Sequence, residues 1–195
     1  MKSCILSLDF KNLKNMSKLV QPINFKKWID EHRHLLKPPV GNKQVWDNGE
    51  FIVMVVGGPN NRKDYHYNET PEFFYQVEGD MILKIINDKG EQIDVEINEG
   101  DIYLLPAKVP HSPQRKANTV GLVIEYPRSE NMMDALQWYC ENCGNQLYSE
   151  EFLVKNIETD MQKIFKTFYS DKQKCTCDKC GDTMEEPEKA SSKEH

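Results

Sequence analysis

The chain has 195 residues, with 25 Lys or Arg against 31 Asp or Glu, which gives a formal net charge of −6 at pH 7. Hydrophobic residues make up 38% and charged residues 29%, as is typical of one globular domain with its own core. The acidic balance argues against a nucleic-acid or anionic-membrane partner. No apolar run approaches the ~18 residues that a membrane-spanning helix needs, so we expect no membrane partner.

Residues 1–20 are predicted to be a disordered leader, because their run Cys4-Ile5-Leu6 is too short for a signal-peptide core. Five of the six Cys lie at position 140 or beyond. A disulfide framework would be spread through a short secreted chain, whereas clustered pairs suggest reduced thiolates on a metal. We therefore expect a reducing, cytoplasmic compartment.

The first predicted element is a helix over residues 24–37. Asn24 can cap its start, and Pro38-Pro39 would end it. The apolar side chains share one helical face and are Phe25, Trp28, Ile29, Leu35 and Leu36.

Short strands are predicted between residues 44 and 126. They are rich in β-branched and aromatic residues and cover residues 51–56, 72–77, 81–86, 92–97, 101–105 and 120–126. Turns rich in Gly, Asn and Asp separate them, and no helices alternate with them. This pattern predicts a mainly β sandwich or barrel, formed with the N-terminal helix by residues 21–130.

After Pro127 the pattern changes to paired thiols around a helical stretch. Each C-x-x-C unit is followed at once by Gly, which makes the tight knuckle of a tetrahedral thiolate site. The four predicted ligands are Cys140, Cys143, Cys177 and Cys180. We expect a closed, structural site for zinc or a second iron in an appendage over 131–181, followed by a disordered tail over 182–195.

Two histidines in the β region are candidate metal ligands. His66 is followed by Glu72, and the second histidine stands in Gly100-x5-Pro106-x4-His111. The spacing resembles the two cupin motifs, although Asn68 occupies the place of a second histidine. Two His and one carboxylate on one face of a metal leave positions open, as in non-haem Fe(II) oxygenases.

Two arginines flank these histidines. Arg62 lies four residues before His66, and Arg115 lies four residues after His111. A guanidinium group grips a carboxylate with two parallel hydrogen bonds. The pair therefore predicts an anionic substrate beside the metal.

Several segments resemble the 3-hydroxyanthranilate 3,4-dioxygenase family. They are Leu36-Lys37-Pro38-Pro39-Val40, Val55-Val56-Gly57-Gly58-Pro59-Asn60, Arg62-x-Asp64-Tyr65-His66, Glu72-Phe73-Phe74-Tyr75-Gln76, Gly100-Asp101-x-Tyr103-Leu104-Leu105-Pro106 and Val109-Pro110-His111-Ser112-Pro113. The resemblance runs from about residue 22 to 181 and includes the Cys pairs, as in fungal and bacterial forms. It implies a cupin-type double-stranded β-barrel, or jelly roll. It also implies opening of the 3-hydroxyanthranilate ring with O2 to 2-amino-3-carboxymuconate 6-semialdehyde, which closes to quinolinate, a precursor of NAD in the kynurenine pathway.

The resemblance also implies roles for individual residues. Fe(II) would be held by His66, Glu72 and His111. The residues implied in catalysis are Arg62, which would lie by O2, with Glu72, Arg115 and Glu125. The residues implied in substrate binding are Glu72, Arg115, Glu125 and Asn42. Glu125 could take a proton or a hydrogen bond from the substrate amine, or could orient Arg115, and the sequence leaves both roles open.

Two other functions remain open at the level of sequence. Another cupin metalloenzyme acting on an acidic metabolite would share the three ligands but differ around Asn42, Arg115 and Glu125. A non-catalytic cupin sensor could use the C-x-x-C pairs to bind protein or nucleic acid, against which the acidic charge counts. Oxygen uptake with 3-hydroxyanthranilate separates these readings. Our hypothesis for the assembly is a homodimer.

Overall fold

The computed structural model describes residues 21–38, 41–47, 50–154 and 157–187. The predicted leader over 1–20 and the end of the predicted tail, 188–195, lie outside the described residues. In the part of the chain that the structure describes, no helix is long and apolar enough to cross a membrane.

Three α-helices and eleven strands make up the described fold. The helices are α1 (Phe25–His32), α2 (Ile157–Tyr169) and α3 (Lys172–Cys175), and a 3-10 turn (Arg33–Leu35) follows α1. The strands are β1 (Asn42–Gln44), β2 (Ile52–Gly57), β3 (Asp64–Tyr67), β4 (Glu72–Glu78), β5 (Met81–Ile86), β6 (Gln92–Ile97), β7 (Ile102–Leu105), β8 (His111–Arg115), β9 (Val120–Glu125), β10 (Asp134–Tyr139) and β11 (Gln146–Phe152).

The strands form two antiparallel sheets. One has the order β1-β2-β9-β4-β7, and the other has the order β11-β10-β3-β8-β5-β6. Alternate side chains point between the sheets, where strands of both sheets supply the core residues Phe74, Met81, Leu83, Ile97, Leu105 and Val123. The predicted fold class is therefore confirmed: a mainly β jelly roll with an N-terminal helix and a small C-terminal appendage.

Helix α1 covers part of the five-stranded sheet from outside. Its predicted cap is present, since the Asn24 side chain accepts the Lys27 backbone N–H at 3.0 Å. Ile29 is buried with Val55 and Val120. The helix is shorter than predicted, because its end tightens into a 3-10 turn before the prolines, a common way for helices to terminate.

The sequence pattern does not predict β3 and β8, the two strands that carry the histidines. Both are polar, reading Asp-Tyr-His-Tyr and His-Ser-Pro-Gln-Arg. Asp64, His66, His111 and Arg115 are nevertheless at most 5% exposed. Polar side chains replace the expected apolar ones here because they line a polar site inside the barrel.

The C-terminal segment is joined to the barrel by hydrogen bonds. Strand β10 pairs with β3 and with β11, so it extends the six-stranded sheet. Helix α2 then packs on β10, with the rings of Trp138 and Phe168 stacked at 4.3 Å. The predicted boundary between residues 130 and 131 falls between β9 and β10, and its status as a domain boundary stays a prediction.

The prediction of a disordered tail from residue 182 is wrong for residues 182–187. Met184 is only 6% exposed and belongs to the cluster around Trp138 and Phe168. Its backbone N–H also donates to the Cys175 carbonyl at 2.9 Å. Burial of the Met184 side chain thus holds the chain at this position against the rest of the fold, although the charged composition of the segment predicts disorder.

Candidate active site

The three predicted iron ligands meet between the two sheets. His66 on β3 and His111 on β8 are direct cross-strand partners, and Glu72 begins β4 of the opposite sheet. Glu72 Oε1 lies 3.3 Å from His111 Nε2 and 3.9 Å from His66 Nδ1. One ligand atom from each residue lies within 4.8 Å of the others. The structure therefore brings the three residues together in a buried cluster of the size that one metal ion occupies.

The other nitrogen of each ring is taken by an acceptor. His66 Nε2 lies 2.6 Å from Asp134 Oδ2, and His111 Nδ1 lies 3.0 Å from the Val109 carbonyl. Carboxylates and carbonyls accept hydrogen bonds, so these nitrogens must carry the protons. The unprotonated nitrogen of each neutral ring then faces Glu72, the arrangement that metal-binding histidines use.

The electrostatics of the cluster favour a cation between its members. Burial alone would raise the pKa of Glu72, but the neighbouring His111 and His66 outweigh it and lower the pKa to about 2. Burial lowers the pKa of His66. Burial alone would also lower the pKa of His111, but the effect of the Glu72 carboxylate is larger and raises that pKa. The attraction that favours a proton between His111 and Glu72 would also favour a metal cation there.

Two rows of paired residues cross the interior face of the five-stranded sheet. Glu72 and Glu125 are direct partners in one row, and Gln76 and Gly121 are direct partners in the other. The second row continues through Val56 to Asn42. Val56 packs into the core cluster between the sheets, so Asn42 lies on the same interior face. The rows are four residues apart along β4 and β9, which is roughly 13 Å between α-carbons.

Arg115 lies over the second row, and no described carboxylate pairs with its charge. Its Nη1 donates to Gln76 Oε1 at 2.8 Å, whereas its buried Nε has no hydrogen-bond partner among the residues that the structure describes. The residue is 3% exposed, and burial lowers its pKa to about 10. Gly121 makes room for it, since a Cβ there would lie 2.6 Å from Nη1. A buried guanidinium without a carboxylate among the described residues is a ready-made anion site.

Arg62, the other flanking arginine, is already paired. Its guanidinium bonds both carboxylate oxygens of Asp64 and packs beneath α2, with its Cζ 5.8 Å from the centre of the Phe165 ring. Burial alone would lower its pKa, but the charges of Asp64 and Glu72 raise it. Arg62 therefore brings a fixed positive charge towards Glu72, whereas Arg115 is the arginine with free hydrogen-bonding capacity.

Glu125 is held by an arginine that the sequence pattern did not single out. Arg128 Nη1 donates to Glu125 Oε2 at 2.5 Å, and the same guanidinium donates to both oxygens of Asp134. Burial and the charge of Glu72 raise the pKa of Glu125 to about 7. Of the two roles left open for Glu125, orienting Arg115 has no contact to support it in the described part of the chain.

Asn68 also contributes to the cluster. Its amide donates to Glu72 Oε1 at 2.6 Å and lies 3.5 Å from Glu125 Oε2. The sequence shows it only as a departure from a two-histidine motif. The structure places it as a donor that orients the Glu72 carboxylate, a role that its spacing of two from His66 could have suggested.

The four predicted thiol ligands form a second cluster, where the β10–β11 turn meets the segment after α3. Cys140 Sγ lies 3.6 Å from Cys180 Sγ, and Cys143 Sγ lies 3.6 Å from Cys177 Sγ. A tetrahedron with metal–sulfur bonds of ~2.3 Å has edges of roughly 3.8 Å, so the spacing suits one metal ion. Cys175 stays apart, with its Sγ directed at the Phe168 carbonyl.

Glycines shape both knuckles of this cluster. Gly144 and Gly181 have φ values of 72° and 79°, which glycine adopts without strain. Each donates its N–H to the carbonyl of the first cysteine of its pair, at 2.9 Å. Hydrogen bonds from the Asp182 backbone and the Asn142 side chain lower the pKa of Cys180 to about 7, which favours a thiolate at Cys180, whereas burial raises the pKa of Cys140.

A jelly roll with a buried cluster of two histidines and one carboxylate, and with a four-cysteine cluster beside it, defines the class: a cupin-type barrel with two clusters that could each hold a metal ion. The model of the 3-hydroxyanthranilic acid dioxygenase family matches residues 16–169. The chain belongs to this family.

Curated relatives align with most of the chain. A 3-hydroxyanthranilate 3,4-dioxygenase of Xanthomonas euvesicatoria is 53% identical over 176 residues, which cover 90% of this chain and 99% of the relative. A protein of the same name from Ruegeria pomeroyi is 52% identical over 160 residues, covering 82% of this chain and 88% of the relative. Among solved structures, a cupin-2 domain protein of Shewanella frigidimarina is 20% identical, covers 54% of this chain and 94% of its own, and has a TM-score of 0.42.

Proposed function

We propose that this protein opens the ring of 3-hydroxyanthranilate with O2 to give 2-amino-3-carboxymuconate 6-semialdehyde, the precursor of quinolinate in NAD biosynthesis. The observation that carries the proposal is the pairing of the His66, Glu72 and His111 cluster with the unpaired guanidinium of Arg115 inside one barrel. The chain's membership of the 3-hydroxyanthranilic acid dioxygenase family agrees with it.

The donor set fits Fe(II). His66 Nδ1, His111 Nε2 and one Glu72 oxygen face one another, and this combination is the one that mononuclear non-haem Fe(II) sites use. Bound there, Fe(II) would supply open positions for the adjacent hydroxyl and amine of the substrate and for O2. The protein's own contribution is to hold the reactants in place and to balance their charges.

Arg115 binds the substrate carboxylate in this proposal. The anion would take the free Nε and the remaining donors of the guanidinium, which a carboxylate matches with two hydrogen bonds. The Gln76 row and the Glu72 row are roughly 13 Å apart, which leaves room for an aromatic ring between them. The substrate carboxylate would then lie at Arg115, and its hydroxyl and amine would lie at the iron site. Asn42, on the same interior face, would line the ring.

Glu125 and Arg62 interact with charged or proton-donating groups of the reactants in this proposal. Glu125 lies directly across from Glu72 and would accept a hydrogen bond or a proton from the substrate amine. Arg62 would stabilise negative charge that develops on oxygen, because its position is fixed by Asp64 before the reaction begins.

Oxygen uptake with defined substrates tests the proposal. Protein loaded anaerobically with Fe(II) should consume one O2 per 3-hydroxyanthranilate and lose the aromatic absorbance of the substrate at the same rate. Anthranilate lacks the adjacent hydroxyl, and it serves as the matched control that should give no uptake. Absence of O2 consumption with 3-hydroxyanthranilate in iron-loaded protein would refute the proposal and favour another acidic substrate or a sensor.

The remaining assignments are also proposals. Four thiolates leave no open position, so the cluster of Cys140, Cys143, Cys177 and Cys180 would hold a structural zinc or iron without chemistry of its own. A cytoplasmic location, the absence of nucleic-acid and membrane partners, and a homodimer stay predictions.

A further inference from the structure

A buried chain of hydrogen bonds connects two of the candidate iron ligands. It runs from His66 through Asp134, Arg128, Glu125 and Asn68 to Glu72, and Asp134 and Arg128 have no role assigned so far. Among the described residues, Arg128 is the only cation in this chain of hydrogen bonds. We propose that Arg128 is a positioning residue that fixes both His66, through Asp134, and Glu125, and so sets the geometry and affinity of the iron site.

The first step of the argument is the fork of Arg128. Its Nε lies 2.9 Å from Asp134 Oδ1, its Nη2 lies 2.8 Å from Asp134 Oδ2, and its Nη1 lies 2.5 Å from Glu125 Oε2. The side chain is 6% exposed. Only a planar guanidinium presents enough donors in fixed directions to hold two carboxylates at once.

The second step is the link from Asp134 to the ligand. Asp134 is fully buried, and its Oδ2 lies 2.6 Å from His66 Nε2. This bond selects the ring nitrogen of His66 that is left for the metal. Residues that orient a metal-binding histidine in this way typically change metal affinity by about 10- to 100-fold when they are altered.

The third step is the balance of charge. Glu72, Glu125 and Asp134 bring three carboxyl groups into one buried region, and Glu125 and Asp134 share the guanidinium of Arg128. Without that guanidinium, Asp134 and Glu125 lose their main partner in a poorly solvated site. They would then turn away or draw in water, and His66 and Glu125 would no longer be held in place.

The inference rests on the proposed iron site, and Fe(II) binding tests it apart from activity. The Fe(II) dissociation constant is measured by anaerobic equilibrium titration in the whole protein and in Arg128→Gln, Arg128→Lys and Asp134→Asn. Arg128→Gln and Asp134→Asn should each raise it about 10- to 100-fold. Because both act through the same hydrogen bond to His66, the double variant should fall well short of the product of the two effects.

The matched control is an arginine fork at the surface of the protein. Arg33 holds Glu78 with two bonds of 2.7 and 2.6 Å at the surface, away from the ligands. Arg33→Gln should leave the Fe(II) dissociation constant unchanged. Arg128→Lys keeps the charge without the fork and should recover only part of the affinity; full recovery would overturn the role of the fork.

A purely structural role predicts a different result. In that case Arg128→Gln would lower the melting temperature and leave the Fe(II) dissociation constant unchanged, which would overturn the inference. If Arg128→Gln does not fold, Asp134→Asn and Arg128→Lys give the same comparison. Loss of Fe(II) binding or ring opening in the unaltered protein would refute the proposed function, whereas unchanged affinity in the variants of an active protein refutes this inference alone.

Discussion

The two candidate metal clusters in the described part of the chain are built in opposite ways. The cluster in the barrel takes His66, Glu72 and His111 from three strands of two sheets, all of them buried. The cysteine cluster takes its four thiols from two short knuckles, and Cys180 is exposed. The first depends on the whole barrel for its geometry and offers three ligands, whereas the second depends on local turns and offers a complete set of four.

In the proposed function, this difference separates the cluster that carries the chemistry from the cluster that supports the structure. A site with three protein ligands leaves room for reactants, and its neighbours Asp134, Arg128 and Asn68 constrain those ligands from outside. A four-thiolate site satisfies a tetrahedral ion completely, and an ion held there would tie the β10–β11 turn to the chain after α3. The following substitutions test whether the two clusters are as independent as this contrast implies.

The largest effect is expected for His111→Ala. Removing one of three ligands should abolish ring opening and release iron from the barrel, while the metal of the cysteine cluster stays bound. Metal analysis together with oxygen uptake measures both outcomes. His34→Ala, at an exposed histidine beyond α1, is the control and should keep full activity. Full turnover by His111→Ala in the absence of bound iron would rule out the ligand assignment.

An intermediate effect is expected for Arg115→Ala. The variant removes a charge-assisted hydrogen bond of roughly 1.5–3 kcal/mol, which corresponds to about a 10- to 150-fold loss in kcat/KM. Steady-state kinetics with 3-hydroxyanthranilate measure it.

Two controls separate carboxylate binding from a general disturbance of the barrel. A substrate analogue without the carboxylate, 2-aminophenol, should lose far less from Arg115→Ala, and equal losses would place Arg115 elsewhere. Gly121→Ala pushes a Cβ against the guanidinium and should produce a loss of the same kind with the arginine still present.

The sequence predicts the members of each cluster better than their surroundings. His66, Glu72 and His111 stand at recognisable spacings. The neighbouring predicted strands show the usual strand pattern of β-branched and aromatic residues. Asp134 and Arg128 were missed because they lie more than 60 residues from His66 and acquire meaning only when β10 pairs with β3. No local pattern marks such a contact.

Strands β3 and β8 are a second feature that the sequence pattern did not predict. Strand prediction relies on apolar alternation, and these two strands carry the polar side chains that face the site. The cysteine pairs, in contrast, were predictable as a set of four because each knuckle is local. The C-x-x-C spacing already favoured Cys177 over Cys175 as the ligand, but the sequence could not show that the Cys175 side chain is directed at the Phe168 carbonyl.

The smallest effect on activity is expected for the double substitution Cys140→Ser with Cys143→Ser. It should lose one metal ion per chain and lower the melting temperature by several degrees, since ~1 kcal/mol shifts it by about 2–4 °C in a domain of this size. Ring opening should persist. Helix α2, which covers Arg62, is also held by the stacking of Phe168 on Trp138, so it does not depend on the thiolates alone.

Metal analysis, thermal melting and oxygen uptake on the same preparation provide the test. Cys175→Ser is the matched control, because it removes a buried thiol outside the cluster and should keep both ions. Retention of both ions in the double variant would refute the cysteine site. Complete loss of ring opening in a folded double variant would instead show that the cysteine cluster holds Arg62 in place through α2, and the two clusters would then form one functional unit.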